Sequence, residues 1–334
     1  ASLLTKAADY LLQRAQYSQA EPLYQRALSI YEQVLGNEHS QVAFPLNGLA
    51  DLYREQGHYE QAELLYQRAL HLWEQAPDPP HSEIPCPLNN LAILYEEQGR
   101  YEEAEALLRH ALHLDEQVLG PEHPKIAIPL NNLAIIYVKQ GRYEEAEALL
   151  QRALRLDEQT FGPEHPEVSF SITNLADLYH EEGRYEQAEP LYQRALQIRE
   201  QTLGSEHPQV AFPLHGLATL YREQGQYEQA VSLYRRALAI RQQQRGAWHP
   251  ETAETLHDLA RLHELRNQPQ EALALYQQAL AIREQRLGEA HPHTLCRPLT
   301  SMWAALITGR SSNLHRVIIE DRKSNKEGRT LSFS

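Results

Sequence analysis

Apolar residues recur along this chain in steps of three and four. In one stretch Tyr59, Ala62, Leu65, Tyr66, Ala69, Leu70 and Trp73 follow one another at that stepping, with Glu, Gln and Arg between them, the pattern of a helix with one buried face. A second pattern precedes it: Leu-Ala pairs followed by tyrosine, as in Leu49, Ala50 and Tyr53, which set large and small side chains beside each other on one helix face. A glycine separates the two. Gly57, Gly99, Gly141, Gly183 and Gly225 fall at an unbroken spacing of 42 residues, and a fixed period of this length marks stacked repeats rather than independent domains.

Each repeat therefore predicts a helix, a turn at the glycine and a second helix. The second helices are expected over 17–35, 59–77, 101–119, 143–161, 185–203, 227–245 and 269–287, which makes seven pairs. Two alanine columns, Ala20 to Ala272 and Ala27 to Ala279, recur in every repeat; small side chains there let paired helices approach to about 8–10 Å. The second helix stops at a glycine such as Gly120 or Gly162, a residue that closes a helix without strain. His-Pro then opens the next unit, with Pro124, Pro166, Pro208, Pro250 and Pro292 where a first helical turn tolerates proline. A further column, Pro45, Pro87, Pro129 and Pro213, predicts that this first turn is irregular or begins late.

The fold expected is all-α, a right-handed superhelical solenoid of seven helix pairs over residues 1–295. Two repeats depart from the pattern, the second at Pro77-Asp78-Pro79-Pro80-His81-Ser82 and the seventh at Asn267-Gln268-Pro269. Leu299, Met302, Trp303, Leu306 and Ile307 predict a C-terminal capping helix over 296–309, and residues 310–334 carry no repeat signature and read as an irregular or mobile tail.

Charge narrows the partners. The chain carries a net charge of −14, and because residues 297–334 hold seven Lys/Arg against three Asp/Glu, the repeats carry −18. Such a surface repels phosphate backbones and argues against nucleic acid. No run approaches the roughly 18 apolar residues of a membrane helix, so no membrane is expected. Two scattered cysteines, Cys86 and Cys296, make no disulfide framework, which fits a reducing, cytoplasmic setting. The chain opens at Ala1 already in register with a first helix, and the expectation is that it was excised from a longer protein.

Candidate chemistry is sparse. His39, His81, His123, His165, His207, His249 and His291 form a column at the 42-residue spacing. Zinc ligands lie about 2 Å from the metal, whereas successive repeats are a helix diameter apart, so these histidines read as turn residues bonding backbone beside a helix start. The pairs Glu102-Glu103, Glu144-Glu145 and Glu181-Glu182 read as solvated charge near helix starts, offsetting the helix dipole. Cys86 shares its column with Phe44, Ile128, Phe170 and Phe212, so core-like packing is expected of it. No phosphate loop, nucleophile context or His-x-x-x-His pair is present. No cofactor and no enzyme activity are expected.

The repeats are similar to the 42-residue tetratricopeptide repeats of kinesin light chains. The residues that carry the resemblance are Leu-Asn-Asn-Leu-Ala at 88–92 and 130–134, Tyr95 and Tyr137, Gly-Arg-Tyr-Glu-Glu-Ala-Glu at 99–105 and 141–147, Arg-Ala-Leu at 152–154 and Leu-Gly-Pro-Glu-His-Pro at 119–124. The resemblance covers residues 1–295 and implies peptide or protein binding without naming a partner. Similar arrays in bacterial proteins often sit behind a nucleotide-binding switch domain, so an upstream domain of that kind is a further partner the resemblance implies. A sensor part of a signalling NTPase and a self-associating scaffold are the alternative functions.

The resemblance also places the first helices on a concave inner surface, with Asn47, Asn89, Asn131, Thr173, His215 and His257 in one groove-facing column and Gly48, Asn90, Asn132, Asn174, Gly216 and Asp258 in the next. Asparagine is a poor helix former, yet its amide offers an acceptor and two donors to the backbone of an extended peptide. The bland alternative is that these amides bond each other and fix the register of the repeats. Varying columns would give specificity: Asp51, Ile93, Ile135, Asp177, Thr219 and Arg261, then Arg54, Glu96, Val138, His180, Arg222 and Glu264. They predict a groove with an apolar centre at Ile93, Ile135 and Val138 and charged ends, suited to a peptide with one or two apolar anchors. Only Lys139, Arg54 and Arg222 approach the basic carboxylate clamp of chaperone-binding tetratricopeptide domains.

Overall fold

The computed structural model describes residues 1–76, 85–244 and 246–287. Fourteen α-helices, and no strand, occur among them. They are α1 (Ser2–Gln13), α2 (Tyr17–Leu35), α3 (Ala43–Glu55), α4 (Tyr59–Glu74), α5 (Pro85–Glu97), α6 (Tyr101–Leu119), α7 (Ala127–Lys139), α8 (Tyr143–Phe161), α9 (Val168–Glu181), α10 (Tyr185–Leu203), α11 (Ala211–Glu223), α12 (Tyr227–Gln244), α13 (Pro250–Leu265) and α14 (Pro269–Leu287). The seven expected pairs are present, and the second helices begin where the tyrosine or proline after the turn predicts. The helix α4 ends at Glu74, three residues short of expectation, ahead of the proline-rich stretch at 77–80. The expected capping helix and tail lie outside the described residues.

Backbone chemistry explains each joint. At the turn within a pair the Gly141 N–H bonds the Val138 carbonyl at 3.0 Å and the Arg142 N–H reaches back to the Tyr137 carbonyl at 2.8 Å, a Schellman closure that needs positive φ at the glycine. Gly141 has φ +74, and in the seventh pair Asn267 takes the same place with φ +58, asparagine being tolerant of that region. Proline shapes the joint between pairs. Where Pro45, Pro129 and Pro213 occupy the third position of α3, α7 and α11, a 3-10 turn precedes each helix, at Ser40–Val42, Pro124–Ile126 and Pro208–Val210, because a proline cannot supply the N–H that an α-turn would need. Thr255 stands at that column in α13, and there the α-helix begins at once at Pro250.

The odd-numbered helices touch one another in series, α1 to α13, while the even-numbered helices α2 to α12 pack against the odd ones on either side and α14 packs against α13. That arrangement makes an inner row and an outer row. One apolar cluster runs from Ala50 through Leu133, Ala176 and Leu217 to Leu262, so the middle repeats bury their faces against their neighbours, and smaller clusters cover the ends of the array. Both alanine columns are at most 2% exposed wherever described, as close helix packing demands. Polar bolts cross three of the seams: Arg142 lies 3.8 Å over the Tyr137 ring and pairs with Glu105 of the preceding repeat at 2.9 Å, and Arg100 and Arg184 do the same with Tyr95 and Glu63 and with Tyr179 and Glu147. Exposed pairs of this kind are worth about 0.2–1 kcal/mol each; apolar packing dominates.

Candidate functional site

Positions 44, 47, 48, 51 and 54 of α3 are spaced by three and four, so they share one helix face, and the same columns repeat on each inner helix. The amides form a ladder between helices. Asn90 Nδ2 donates to Asn47 Oδ1 at 3.4 Å and to Asp51 Oδ1 at 3.2 Å, Asn132 Nδ2 to Asn89 Oδ1 at 3.2 Å, and Asn174 Nδ2 to Asn131 Oδ1 at 2.9 Å. Asn47 closes its end by donating to Asp51 at 3.4 Å. Asn89 and Asn131 are 7% and 1% exposed and so present little to a ligand, whereas Asn47, Asn90, Asn132 and Asn174 are half-buried. Asn131 is tied deeper still, donating to the Ala127 carbonyl at 2.7 Å and to Ser171 Oγ at 3.1 Å, which in turn donates to the buried Asp157 at 2.6 Å. Ser171 interrupts the proline column in that repeat, and its hydroxyl satisfies a carboxylate that burial pushes up in pKa.

The two ends of the row are charged and largely self-satisfied. Arg54 pairs with Glu55 at 2.6 Å and with Glu97 of the next inner helix at 2.5 Å. At the other end His215 and Arg222 both meet Asp258, at 3.1 and 3.4 Å, and Arg222 is 8% exposed. Burial would push the Asp258 carboxyl up, but the hydrogen bond from His215 and the charge of Arg222 hold it below the ordinary range. His180 bonds Glu223 across α9 and α11 at 2.9 Å; that bond pushes Glu223 down to about 2, and the pair holds His180 above its ordinary value in spite of burial.

The middle differs, through a paired exchange between columns. Tyr24, Tyr66 and Tyr192 of the outer helices reach inward and give their hydroxyls to Asp9, Asp51 and Asp177 at 2.6, 2.5 and 2.5 Å. In α6 and α8 the tyrosine is replaced by Leu108 and Leu150, and in the same repeats the aspartate is replaced by Ile93 and Ile135. Leucine is shorter and carries no hydroxyl. A cavity of about 300 Å³ opens there, lined by Ala134, Ile135, Val138 and Lys139 of α7, Leu150 of α8, and Asn174, Asp177, Leu178, His180 and Glu181 of α9. Ile135, Val138 and Asn174, named from the sequence, come together in it; Ile93 is half-buried on the neighbouring helix α5. Asp177 and His180, named in the varying groove columns, line it as well; Leu150 and Glu181 were not named for the groove, although the joint change of the tyrosine and aspartate columns was visible in the repeats.

Two expectations are corrected. The column of Phe44, Ile128, Phe170 and Phe212 is not core: these residues are 40%, 57%, 50% and 38% exposed, because they sit on the same inner face as the amides, near the helix starts. Core-like packing therefore does not follow for Cys86 from its column, and the Cys86 side chain itself lies outside the described residues. Glu181-Glu182 stands at the C-terminal end of α9, where Glu181 lines the cavity; Glu102, Glu103, Glu144 and Glu145 do lie in first helical turns.

The histidine column is capping chemistry. Nδ1 of His39, His123, His165, His207 and His249 accepts the backbone N–H two residues on, at 3.2 to 3.3 Å, which satisfies a donor that a helix start leaves open. Among the described residues no group of three His, Cys, Asp or Glu could hold a metal ion, and no helix is long and apolar enough to cross a membrane.

A search of curated proteins finds no match. Among solved structures, BtubC (BKLC) from P. vanneervenii is 26% identical over 70% of this chain and 91% of its own, with a TM-score of 0.53. A putative kinesin light chain from Podosopora anserina with nearly identical TPR-like repeats is 30% identical over 63% of this chain and 98% of its own, with a TM-score of 0.49. The Rap conjugation gene regulator of plasmid pLS20, solved in complex with the Phr* peptide, is 17% identical over 84% of this chain and 72% of its own, with a TM-score of 0.61. The tetratricopeptide repeat pattern itself matches residues 1–75, 83–159, 126–201, 167–243 and 214–285, so nearly the whole described array is accounted for, and the chain belongs to the tetratricopeptide repeat family, of the kinesin light chain-like kind.

Proposed function

We propose that this chain is a non-catalytic protein-binding module whose concave face holds an extended peptide or partner segment. The observation that carries the reading is the apolar cavity on the inner face, flanked by half-buried amides on three successive inner helices. The ladder engages the donor side of Asn90, Asn132 and Asn174, so their Oδ1 atoms are the groups left to accept N–H donors of a ligand backbone. Each such bond is worth about 0.5–1.5 kcal/mol net, and binding therefore needs several at once. Ile93, Ile135 and Val138 supply the apolar floor, with Asn47 and Arg54 at one end and His215 and Arg222 at the other. Asn89 and Asn131 act by holding the ladder in register. The Rap regulator, which shares the fold, is in complex with the Phr* peptide, which supports peptide binding by this array.

The test is a dodecapeptide library panned against the full chain, with the selected peptides then measured on N90A/N132A/N174A. Loss of binding with retained helix content is expected; equal binding to that variant refutes the groove reading. One observation favours a second reading: the exposed row of Phe44, Ile128, Phe170 and Phe212 is an apolar stripe on which copies could self-associate. Light scattering that shows a monomer at every concentration eliminates it.

A further inference from the structure

The cavity between α7, α8 and α9 differs from the rest of the inner face in shape and in charge. Its floor is Ile135, Val138 and Leu150, and its α9 wall carries Asp177 and Glu181, four residues apart and therefore on one side of that helix. Both are exposed; Asp177 takes the Tyr192 hydroxyl on Oδ1, which leaves its Oδ2 to meet a cation. His180 between them hydrogen-bonds Glu223 and acts on Asp177 and Glu181 only through its charge. The volume, about 300 Å³, stands at the bottom of the range for ligand pockets, roughly 300–1,000 Å³, room for a side chain rather than for a cofactor. In an extended peptide side chains two residues apart share a face and are about 7 Å apart, a spacing that carries a second side chain from the cavity toward the next inner helix.

Resting on the groove reading, we propose that this cavity is the anchor subsite for a peptide carrying a large aliphatic residue followed two positions later by lysine or arginine, the aliphatic group seated on Ile135, Val138 and Leu150 and the cation meeting Asp177 and Glu181. Charge complementarity selects this occupant over an acidic one: the repeats carry −18 overall, and the α9 wall sets two carboxylates against the single cation of Lys139 on α7. The Tyr-Asp pairs of Tyr24, Tyr66 and Tyr192 close the same place with their own hydroxyl bond. This subsite therefore belongs to the repeats that exchanged them for Leu and Ile.

The chain supplies its own control. In the repeat of α3 and α4, Tyr66 and Asp51 coexist with an asparagine, Asn90, on the following helix, so I135D/L150Y rebuilds at α7 and α8 a pair already compatible with Asn174. The dodecapeptides selected on the full chain are sequenced and a resynthesised, fluorescein-labelled consensus peptide is titrated by fluorescence polarisation. Expected are a consensus of Leu, Ile or Met with Lys or Arg two positions on, at least tenfold weaker binding to I135D/L150Y, and about fivefold weaker binding to E181K with a flatter salt dependence. If I135D/L150Y melts early, E181K, on an exposed position, carries the test alone. A consensus with Asp or Glu beside the anchor, or unchanged binding to the folded variants, overturns the subsite. The groove reading still stands if such peptides lose binding to N90A/N132A/N174A. Peptides indifferent to both sets of variants, or no enrichment at all, overturn the groove reading and the subsite with it.

Discussion

The repeats built on α4 and α10 and the repeats built on α6 and α8 share a backbone and differ in one coupled choice. In the first group a fully buried tyrosine, Tyr66 or Tyr192, spans from the outer helix to an aspartate on the inner face, at 2.5 Å in both cases. The pair satisfies itself, but under strain of desolvation: burial pushes both tyrosine hydroxyls far above their ordinary range and carries Asp51 up to about 6. In the second group Leu108 with Ile93, and Leu150 with Ile135, remove the polar problem, and beside Leu150 a space is left open. The comparison teaches that the stack tolerates either solution, so the column is free to be used for recognition. A repeat that needs nothing from a ligand closes its own gap.

The largest effect should come from breaking a closed pair. Tyr192→Leu without a second change removes a buried ring and leaves Asp177 without its hydroxyl partner, at a cost of roughly 3–5 kcal/mol. Adding Asp177→Ile, the partner that leucine has elsewhere in the chain, should return about 1–3 kcal/mol. Amide hydrogen exchange across α9 to α11 is the appropriate measurement, since an array of repeats opens locally rather than as one unit. Strictly additive effects would show that the two columns are not coupled.

Acid should find the α13 end before the middle. Burial, reinforced by the charges of Arg283, Arg261 and Arg222 and opposed by Asp258, pulls His257 down to about 4. A histidine depressed below its ordinary 6.5 contributes stability at neutral pH that is lost as pH falls from 6.5 through 4, amounting to about 2–3 kcal/mol once the group is charged. Exchange protection of α13 and α14 should therefore fall between pH 6.5 and 4. His257→Gln, neutral at every pH, should flatten that profile. The apolar repeat of α7 and α8 contains no counterpart and should show no such loss at Ile135 and its neighbours.

A smaller effect tests the space around the tyrosine. A Cβ added at Gly216 would stand 2.4 Å from Cε1 of Tyr192, and one at Gly48 2.3 Å from the same atom of Tyr24. Gly216→Ala should cost about 1–3 kcal/mol and should become nearly neutral in the Tyr192→Leu background, where the ring is gone. Thermal melts of the two pairs of proteins decide it. Persistent damage in the leucine background would mean that the glycine serves the backbone rather than the ring.

These relations show what the sequence discloses and what it hides. Helix starts at Tyr59, Tyr101 and Tyr143, the buried alanine columns and the late start imposed by Pro129 follow from periodicity and local chemistry, and each is where the pattern placed it. The groove was less legible. Asn131 and Asn132 are adjacent and chemically identical, yet one is 1% exposed and the other half-buried, because a rotation of 100° around the helix separates a seam position from a surface one. Phe44 and Phe170 misled for the opposite reason: large aromatics suggest a core, and only the path of the inner helices shows that their column faces the open side. The cavity needed two columns read together, Leu150 with Ile135, and pairs that meet across helices lie outside what one helical period reveals.

The last and smallest effect is one in which the two regions should agree. His123 opens the apolar repeat of α7, and His207 opens the repeat of α11 next to the closed Tyr192 pair; each accepts a backbone N–H through Nδ1, at 3.2 and 3.3 Å, and each precedes the same 3-10 turn. Replacing either by Ala deletes one capping bond, at about 0.5–1 kcal/mol, while Asn in its place should recover most of that loss because its side-chain oxygen reaches the same donor. Capping serves the joint between repeats and is blind to what faces the groove, so His123→Ala and His207→Ala should lower the midpoint of thermal unfolding equally. A marked inequality would mean that the cavity between α7 and α9 is mechanically linked to the joint that precedes it, and that the division between columns that hold the stack and columns that face a ligand is too clean.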